Sequence, residues 1–229
     1  MTYRLSSRER LTPHDLHLYQ GTTLFDHVAR VVCELGCLPR KELYESWEVA
    51  RRVRRRFRGG RAVDLACGHG LIAHMMLLLD DTSASAIATD VRIPPSATKL
   101  AAAFVSEWPR LAGRIDLVSG KISQVALLST DIVVSAHACG RLTDDVIALA
   151  IDAEARVAVL PCCHAEGKSD LGGLKGWVDG ALAIDVTRAA RLRAHGYQIY
   201  TQTIPEEITP KNRLLLGAPS ATVSSTTPK

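Results

Sequence analysis

No stretch of this 229-residue chain approaches the ~18 uninterrupted apolar residues that a membrane-spanning helix needs. Its opening residues, Met1-Thr2-Tyr3-Arg4-Leu5-Ser6-Ser7-Arg8, lack the apolar core of a signal peptide. No Cys-x2-Cys pair of the zinc-module kind occurs, and there is no internal repeat. Charge of one sign is not in large excess either: 28 basic residues stand against 24 acidic ones, a formal net charge of +4. These absences predict a cytoplasmic chain with no membrane partner, for which nucleic-acid binding is permitted but not demanded. Six cysteines without a small secreted scaffold predict free thiols in a reducing compartment. Cys162 and Cys163 are adjacent and poorly placed to bridge each other.

What is present is a strand-turn-helix signal. Val63-Asp64-Leu65-Ala66-Cys67-Gly68-His69-Gly70 reads as a short buried strand with an acid near its tip, a turn of small residues, and the start of a helix. Glycines there let a ligand lie against the backbone. About 20 residues later Ala86-Ile87-Ala88-Thr89-Asp90 reads as a second strand ending in an acid, the spacing expected of a carboxylate that binds ribose hydroxyls. Gly68-His69-Gly70-Leu71-Ile72-Ala73 also fits the dinucleotide fingerprint G-x-G-x-x-G/A, which keeps a nicotinamide-dependent oxidoreductase open as an alternative.

The remaining pattern organises the chain. Residues 1–58 read as helices, over 25–33 ending near Gly36 and over 42–57. They form a cap, since they hold too little apolar material for a core of their own. The segment Arg51-Arg52-Val53-Arg54-Arg55-Arg56-Phe57-Arg58 concentrates six arginines, either a solvated helix face or a patch for phosphates or an acidic partner. From residue 59 to 219 strands alternate with helices, which predicts an α/β fold with helices on both faces of a mostly parallel sheet. The strands are expected at 61–66, 85–90, 114–118, 131–135, 156–160, 197–204 and 213–217. The intervening helices are expected at 70–79, 97–107, 143–153 (with Thr143 as N-cap) and 178–195 (ending at Gly196). Residues 220–229, rich in Ser, Thr and Pro, are expected to be a disordered tail.

An acid followed by Gly-x-Gly at a first strand, with a fold-wide alternation ending in a strand pair, resembles the class I S-adenosylmethionine (SAM) methyltransferases over residues 60–217. The resemblance implies a Rossmann-like seven-stranded sheet and SAM as cofactor. It assigns cofactor contacts to Asp64, Ala66, Cys67, Gly68, Gly70, Asp90, Val91, Lys121, Ile122 and Ser135. Ala66 stands where the family form has its first glycine.

Ligands in open α/β sheets sit beyond the carboxyl ends of the strands. Strand four is followed by Ser135-Ala136-His137-Ala138-Cys139-Gly140, and strand five by Pro161-Cys162-Cys163-His164. His137-x-Cys139-Gly140 with a following Leu-Thr-Asp, and Cys162-Cys163-His164, resemble a narrower family. It contains the eukaryotic tRNA ribose 2′-O-methyltransferases of the acceptor stem and related methyltransferase-like proteins. RNA is the acceptor this implies, with His137 and Cys139 catalytic and Cys162 and His164 at the substrate. Alanine at 136 departs from the Lys-His-x-Cys-Gly of the tRNA enzymes, and their N-terminal zinc modules have no counterpart before residue 60.

From the residues themselves several readings stay open. His137 could deprotonate a hydroxyl, Cys162 could attack a pyrimidine ring, or the cysteines could be small buried fillers. Cys139, Cys162, Cys163 and His164 could also hold a metal, but adjacent cysteines are awkward ligands and no metal is expected. An Asn/Asp-Pro-Pro-Tyr/Phe segment is missing after strand four, which argues against methylation of a planar amine. Lys211 and Arg213, near the last turn, and Lys41 and Glu45, ahead of the first strand, complete the candidate substrate residues. A protein or small-molecule acceptor, and a non-catalytic SAM- or RNA-binding protein, remain alternatives.

Overall fold

The computed structural model describes residues 4–164 and 167–220. The tail assigned to 220–229 therefore lies outside the described residues except for Ser220. No helix among them is long and apolar enough to cross a membrane.

A 3-10 turn, Pro13–Leu18, precedes two helices, α1 (Leu24–Leu35) and α2 (Arg40–Arg56). Thr23 and Asp26 close a capping box at the start of α1, and Gly36 ends it in the left-handed conformation at φ 61°. Then follow β1 (Ala62–Leu65), α3 (Leu71–Leu78), β2 (Ala86–Asp90), α4 (Pro95–Glu107), β3 (Ile115–Ser119), β4 (Ile132–Ser135), α5 (Arg141–Asp152), β5 (Arg156–Val159), α6 (Gly180–Ala194), β6 (Tyr197–Thr203) and β7 (Arg213–Pro219). One expected cap is corrected. The α5 helix begins at Arg141 after Gly140, and the Thr143 hydroxyl donates to the Ala138 carbonyl instead, at 2.6 Å. Gly140, at φ 58° and ψ −124°, turns the chain into the helix earlier than a threonine cap would.

The seven strands form one sheet in the order β3-β2-β1-β4-β5-β7-β6. β1 to β5 are mutually parallel, and β7 runs antiparallel between β5 and β6. An all-parallel dinucleotide-binding sheet has no such reversed strand.

Side chains alternate between two apolar clusters, as the period of two along a strand requires. Ala62, Ile132, Val134, Ala158 and Leu216 pack in one cluster with residues of α1 to α4. Val63, Leu65, Val133, Val157, Val159 and Leu215 pack in the other with residues of α5 and α6. Every residue of β1 and β4 is buried, because parallel strands covered on both faces meet no solvent. The α3 helix is buried along its whole length, enclosed by α2 and the sheet.

The arginine-rich end of α2 is largely used internally. Arg54 is only 2% exposed; it pairs with Asp80 at 3.2 Å and donates to the Met76 carbonyl. Arg51 and Arg52 pair with Glu48. Arg52 also donates to the Thr203 carbonyl, and Arg56 lies 3.6 Å from the Tyr200 ring centroid. Much of this cluster therefore fastens α2 to β6, the strand at the sheet's edge, and to α3, rather than forming one free patch.

Candidate active site

The order in which strands are added to the sheet reverses between the parallel neighbours β1 and β4, and that switch point opens a crevice at the carboxyl ends of the strands. The Ser135 hydroxyl closes its floor by donating to the Leu65 carbonyl at 2.6 Å. The turn after β1 lies over this floor. Ala66 takes φ 57°, a left-handed conformation that costs a non-glycine residue of order 1–2 kcal/mol. Gly68 and Gly70 take φ 55° and 72°. A Cβ on Gly70 would lie 3.1 Å from Ala88 Cβ and Leu117 Cδ2, so glycine lets the turn take its positive φ and pass close to β2 and β3 without crowding.

Two carboxylates frame the turn. Asp64 is buried and accepts a hydrogen bond from the Ala73 amide of α3. Its Oδ2 has no hydrogen-bond partner among the described residues. Burial, aided by the nearby charges of Asp90 and Glu42, raises its pKa to about 8. Asp90 ends β2 and accepts from the Gly68 amide at 3.0 Å and the Arg92 amide at 3.1 Å, which ties the glycine turn to the second strand. Beside it lies a cavity of about 410 Å³ lined by Ala66, Asp90, Val91, Lys121, Ile122, Leu142 and Asp145, among others. Val91 is 70% exposed there. Five of the residues expected at the cofactor thus meet in one hollow, sized for a nucleoside-like ligand. Asp64, Cys67, Gly68, Gly70 and Ser135 are not among its lining residues; they form the turn and floor described above.

The sequence reasoning gave no role to Leu142 and Asp145, which line the hollow from α5; Leu142 opens the Leu-Thr-Asp segment noticed there only as a family mark. It also missed Glu42. That carboxylate lies 3.8 Å from His69 Nδ1 and 4.0 Å from where a Gly68 Cβ would be, so the first turn of α2 covers the glycine turn. Lys41 and Glu45 sit on the same turn and pair with each other at 3.2 Å.

The ends of β4 and β5 carry the His/Cys residues. His137 is half-buried between the buried Ala136 and Ala138. Cys139 Sγ and Cys162 Sγ are 2.8 Å apart, and with Cys163 Sγ all three lie within 4.8 Å of one another. The two loops are joined by the Gly140 amide donating to the Cys163 carbonyl. Buried Arg188 of α6 donates to the Gly140 carbonyl at 2.9 Å.

His164 is turned inward. Its side chain is 4% exposed and its Nε2 lies 2.8 Å from Asp185 Oδ1. Asp185 also accepts from Arg213 Nε at 2.8 Å. Burial opposes the charge on Asp185, but these hydrogen bonds hold its carboxyl below the usual range. His164 and Arg213 therefore brace the loop after β5 against α6. Lys211 is exposed in the β6–β7 connection. A second cavity, about 460 Å³ and mostly apolar, lies beside these groups between Pro161, Leu182, Val186, Thr203 and Arg213.

From one side of this edge to the other run a nucleoside-sized hollow, a histidine with a cysteine cluster, and an apolar groove. Such an arrangement can hold a carrier and an acceptor side by side, with the His/Cys group between them.

A model of the family described as "Methyltransferase domain" matches residues 41–169, more than half of the chain, from α2 to the loop after β5. No curated protein matches the chain. Solved structures match its fold. The ribosomal protein L11 methylase from Lactobacillus delbrueckii subsp. bulgaricus superposes with a TM-score of 0.52 at 14% identity, over 77% of this chain and 79% of that one. Precorrin-6y C5,15-methyltransferase from Geobacter metallireducens GS-15 gives 0.51 at 13% identity, over 77% and 88%. The B. subtilis M1A22 tRNA methyltransferase TrmK gives 0.50 at 15% identity, over 76% and 66%. At these identities the likeness is one of fold, and the three names span protein, small-molecule and RNA acceptors.

Proposed function

This chain belongs to the methyltransferase-domain family, and from that premise we propose that its acceptor is RNA, presented through a ribose 2′-hydroxyl. SAM is the methyl donor and, when bound, supplies a methyl group already activated for transfer. What remains for the protein is to hold the donor, align the acceptor and take up a proton.

The residues present fit that donor. Asp90 ends β2 at the mouth of the 410 Å³ hollow and suits a pair of ribose hydroxyls. Val91, Ile122 and Leu142 give the hollow apolar walls for a flat base. The unpartnered Oδ2 of Asp64 suits a cationic amino group.

The observation that carries the acceptor reading is His137. It sits at the end of β4, beside the hollow's strand neighbours, and makes no hydrogen bond to any described residue. A free imidazole is what a hydroxyl acceptor needs, because the hydroxyl must lose its proton as the methyl group arrives. We assign His137 the base role, with Cys139 and Cys162 shaping the pocket and forming no covalent intermediate. Lys41 and Glu45 approach from α2, and Lys211 and Arg213 from the opposite side. Exposed Arg141 at this edge, and exposed Arg55, Arg56 and Arg58 at the end of α2, supply nonspecific attraction for phosphates. Residues 1–58 act as a cap on the domain formed by 59–219, and the enzyme works in the cytoplasm.

The test offers SAM carrying a labelled methyl group to fractionated RNA, protein and metabolites. Label is expected in RNA, on nucleotides whose 3′ linkage resists alkaline hydrolysis. Label confined to protein or metabolites sinks the RNA reading and leaves the methyltransferase intact. A small-molecule acceptor is the second reading, favoured by the apolar 460 Å³ groove beside Pro161 and Arg213.

A further inference from the structure

We propose that Cys139, Cys162 and Cys163 together bind one Zn²⁺ ion as thiolates, leaving a fourth coordination position open toward the acceptor edge. The adjacency of Cys162 and Cys163 made a metal unexpected from the sequence. The fold changes that judgement: His164 turns away to Asp185, and the sulfur of Cys139 closes on the adjacent pair. All three Sγ atoms lie within 4.8 Å of one another. In a tetrahedral zinc site, with Zn–S near 2.3 Å, sulfurs stand about 3.8 Å apart. The Cys139–Cys162 pair, at 2.8 Å, needs to open by about 1 Å, and no pair needs to close by more than about 1 Å, which side-chain rotation supplies.

The site is held from beneath. The Gly140 amide reaches the Cys163 carbonyl, and Arg188, 2% exposed, grips the Gly140 carbonyl. Arg188 is itself fixed by Asp144, and His164 by Asp185, at 2.7 and 2.8 Å. Both cysteine-bearing loops thus rest on polar side chains of α5 and α6. Three thiolate ligands with Cys139 and Cys163 at the surface match the pattern in which zinc keeps a position for water or substrate. Soft sulfur ligands favour zinc over magnesium or calcium.

The charge balance is explicit. Zn²⁺ displaces one proton from each of three thiols, leaving a complex of net charge −1 and three protons in solution. Lys41 is the cation whose field reaches Cys139. Burial raises the pKa of Cys139 and of Cys162, and the neighbouring sulfur of Cys163 adds to it.

The experiment uses the full chain, reduced with a phosphine, stripped with a chelator, and titrated with Co²⁺ and then Zn²⁺. One equivalent of Co²⁺ should bind with thiolate-to-metal charge-transfer absorption, and Zn²⁺ should displace it. Close to three protons per Zn²⁺ should appear in weakly buffered solution near pH 7. Cys139→Ser, Cys162→Ser and Cys163→Ser should each weaken Zn²⁺ binding by more than the roughly 10–100-fold typical of losing an outer-shell partner. Cys37→Ser should leave it unchanged, with circular dichroism showing all four variants folded. Wild-type chain that takes up no Zn²⁺, or that loses uptake equally with Cys37→Ser, overturns the proposal. So does a Cys139–Cys162 disulfide that forms in air at the same rate with and without Zn²⁺. None of these readouts involves methyl transfer, so they stand or fall separately from the acceptor assignment.

Discussion

Replacing Asp64 by asparagine should remove most of the pH dependence of stability between pH 6.5 and 8. Burial raises the Asp64 carboxyl from 3.8 to about 8, so in this range the folded chain holds a proton that the unfolded chain has released. Stability from this group is therefore complete below pH 3.8 and is lost as pH rises through about 8. His74 works in the opposite sense. Burial lowers it from 6.5 to about 4, so its contribution is lost as pH falls through that interval. Between pH 4 and 6.5 the two slopes oppose each other, and above 6.5 Asp64 acts nearly alone. Asp15, Asp80 and Asp185 are held below the usual carboxylate range, and the buried thiols titrate above theirs. Each pH unit in the window is worth about 1.4 kcal/mol, so roughly 2 kcal/mol should disappear from pH 6.5 to 8. The assay is urea unfolding at both ends of the window for wild type and Asp64→Asn. Saturating SAM should shrink the wild-type decline, because a cationic amino group beside Asp64 favours its ionised form. Equal pH slopes in wild type and variant would refute the reasoning.

Asp90→Ala should weaken SAM binding by about 1.5–3 kcal/mol, roughly 10- to 150-fold, by calorimetry; unchanged affinity in a folded variant removes Asp90 from the ribose site. His137→Ala should lower single-turnover methyl transfer by about 10²–10⁴-fold while SAM affinity stays nearly constant; an undiminished rate places the base elsewhere. Arg54→Ala should destabilise the fold by about 3–5 kcal/mol in denaturant unfolding, since Asp80, 2% exposed in its side chain, loses its buried partner; a loss below 1 kcal/mol means that Arg58 and Thr82 suffice. Neutralising Arg55, Arg56 and Arg58 together should make the salt dependence of RNA binding shallower, and an unaltered slope moves the acceptor reading toward the small molecule.

By itself the sequence determined the sheet, because parallel strands buried on both faces must be written as short apolar runs separated by helices. Val63–Leu65, Ile132–Val134 and Val157–Val159 follow that pattern. The glycine turn and the acid of β2 were legible too, since both are local features: Gly68 and Gly70 take positive φ, and Asp90 follows at a set distance. Where chemistry depends on residues far apart in the chain, the sequence carried less. The six arginines between 51 and 58 could be read as a solvated helix face or as a patch, yet helical geometry points Arg54 inward to Asp80 and Arg52 toward Glu48 and Thr203. The resemblance put His164 at the substrate, but α6 supplies Asp185 and turns it inward. The three cysteines were legible as two separate loops, and the pairing of β4 with β5 set their sulfurs within 4.8 Å of one another. Distances of this kind arise from packing between elements, which no residue encodes alone.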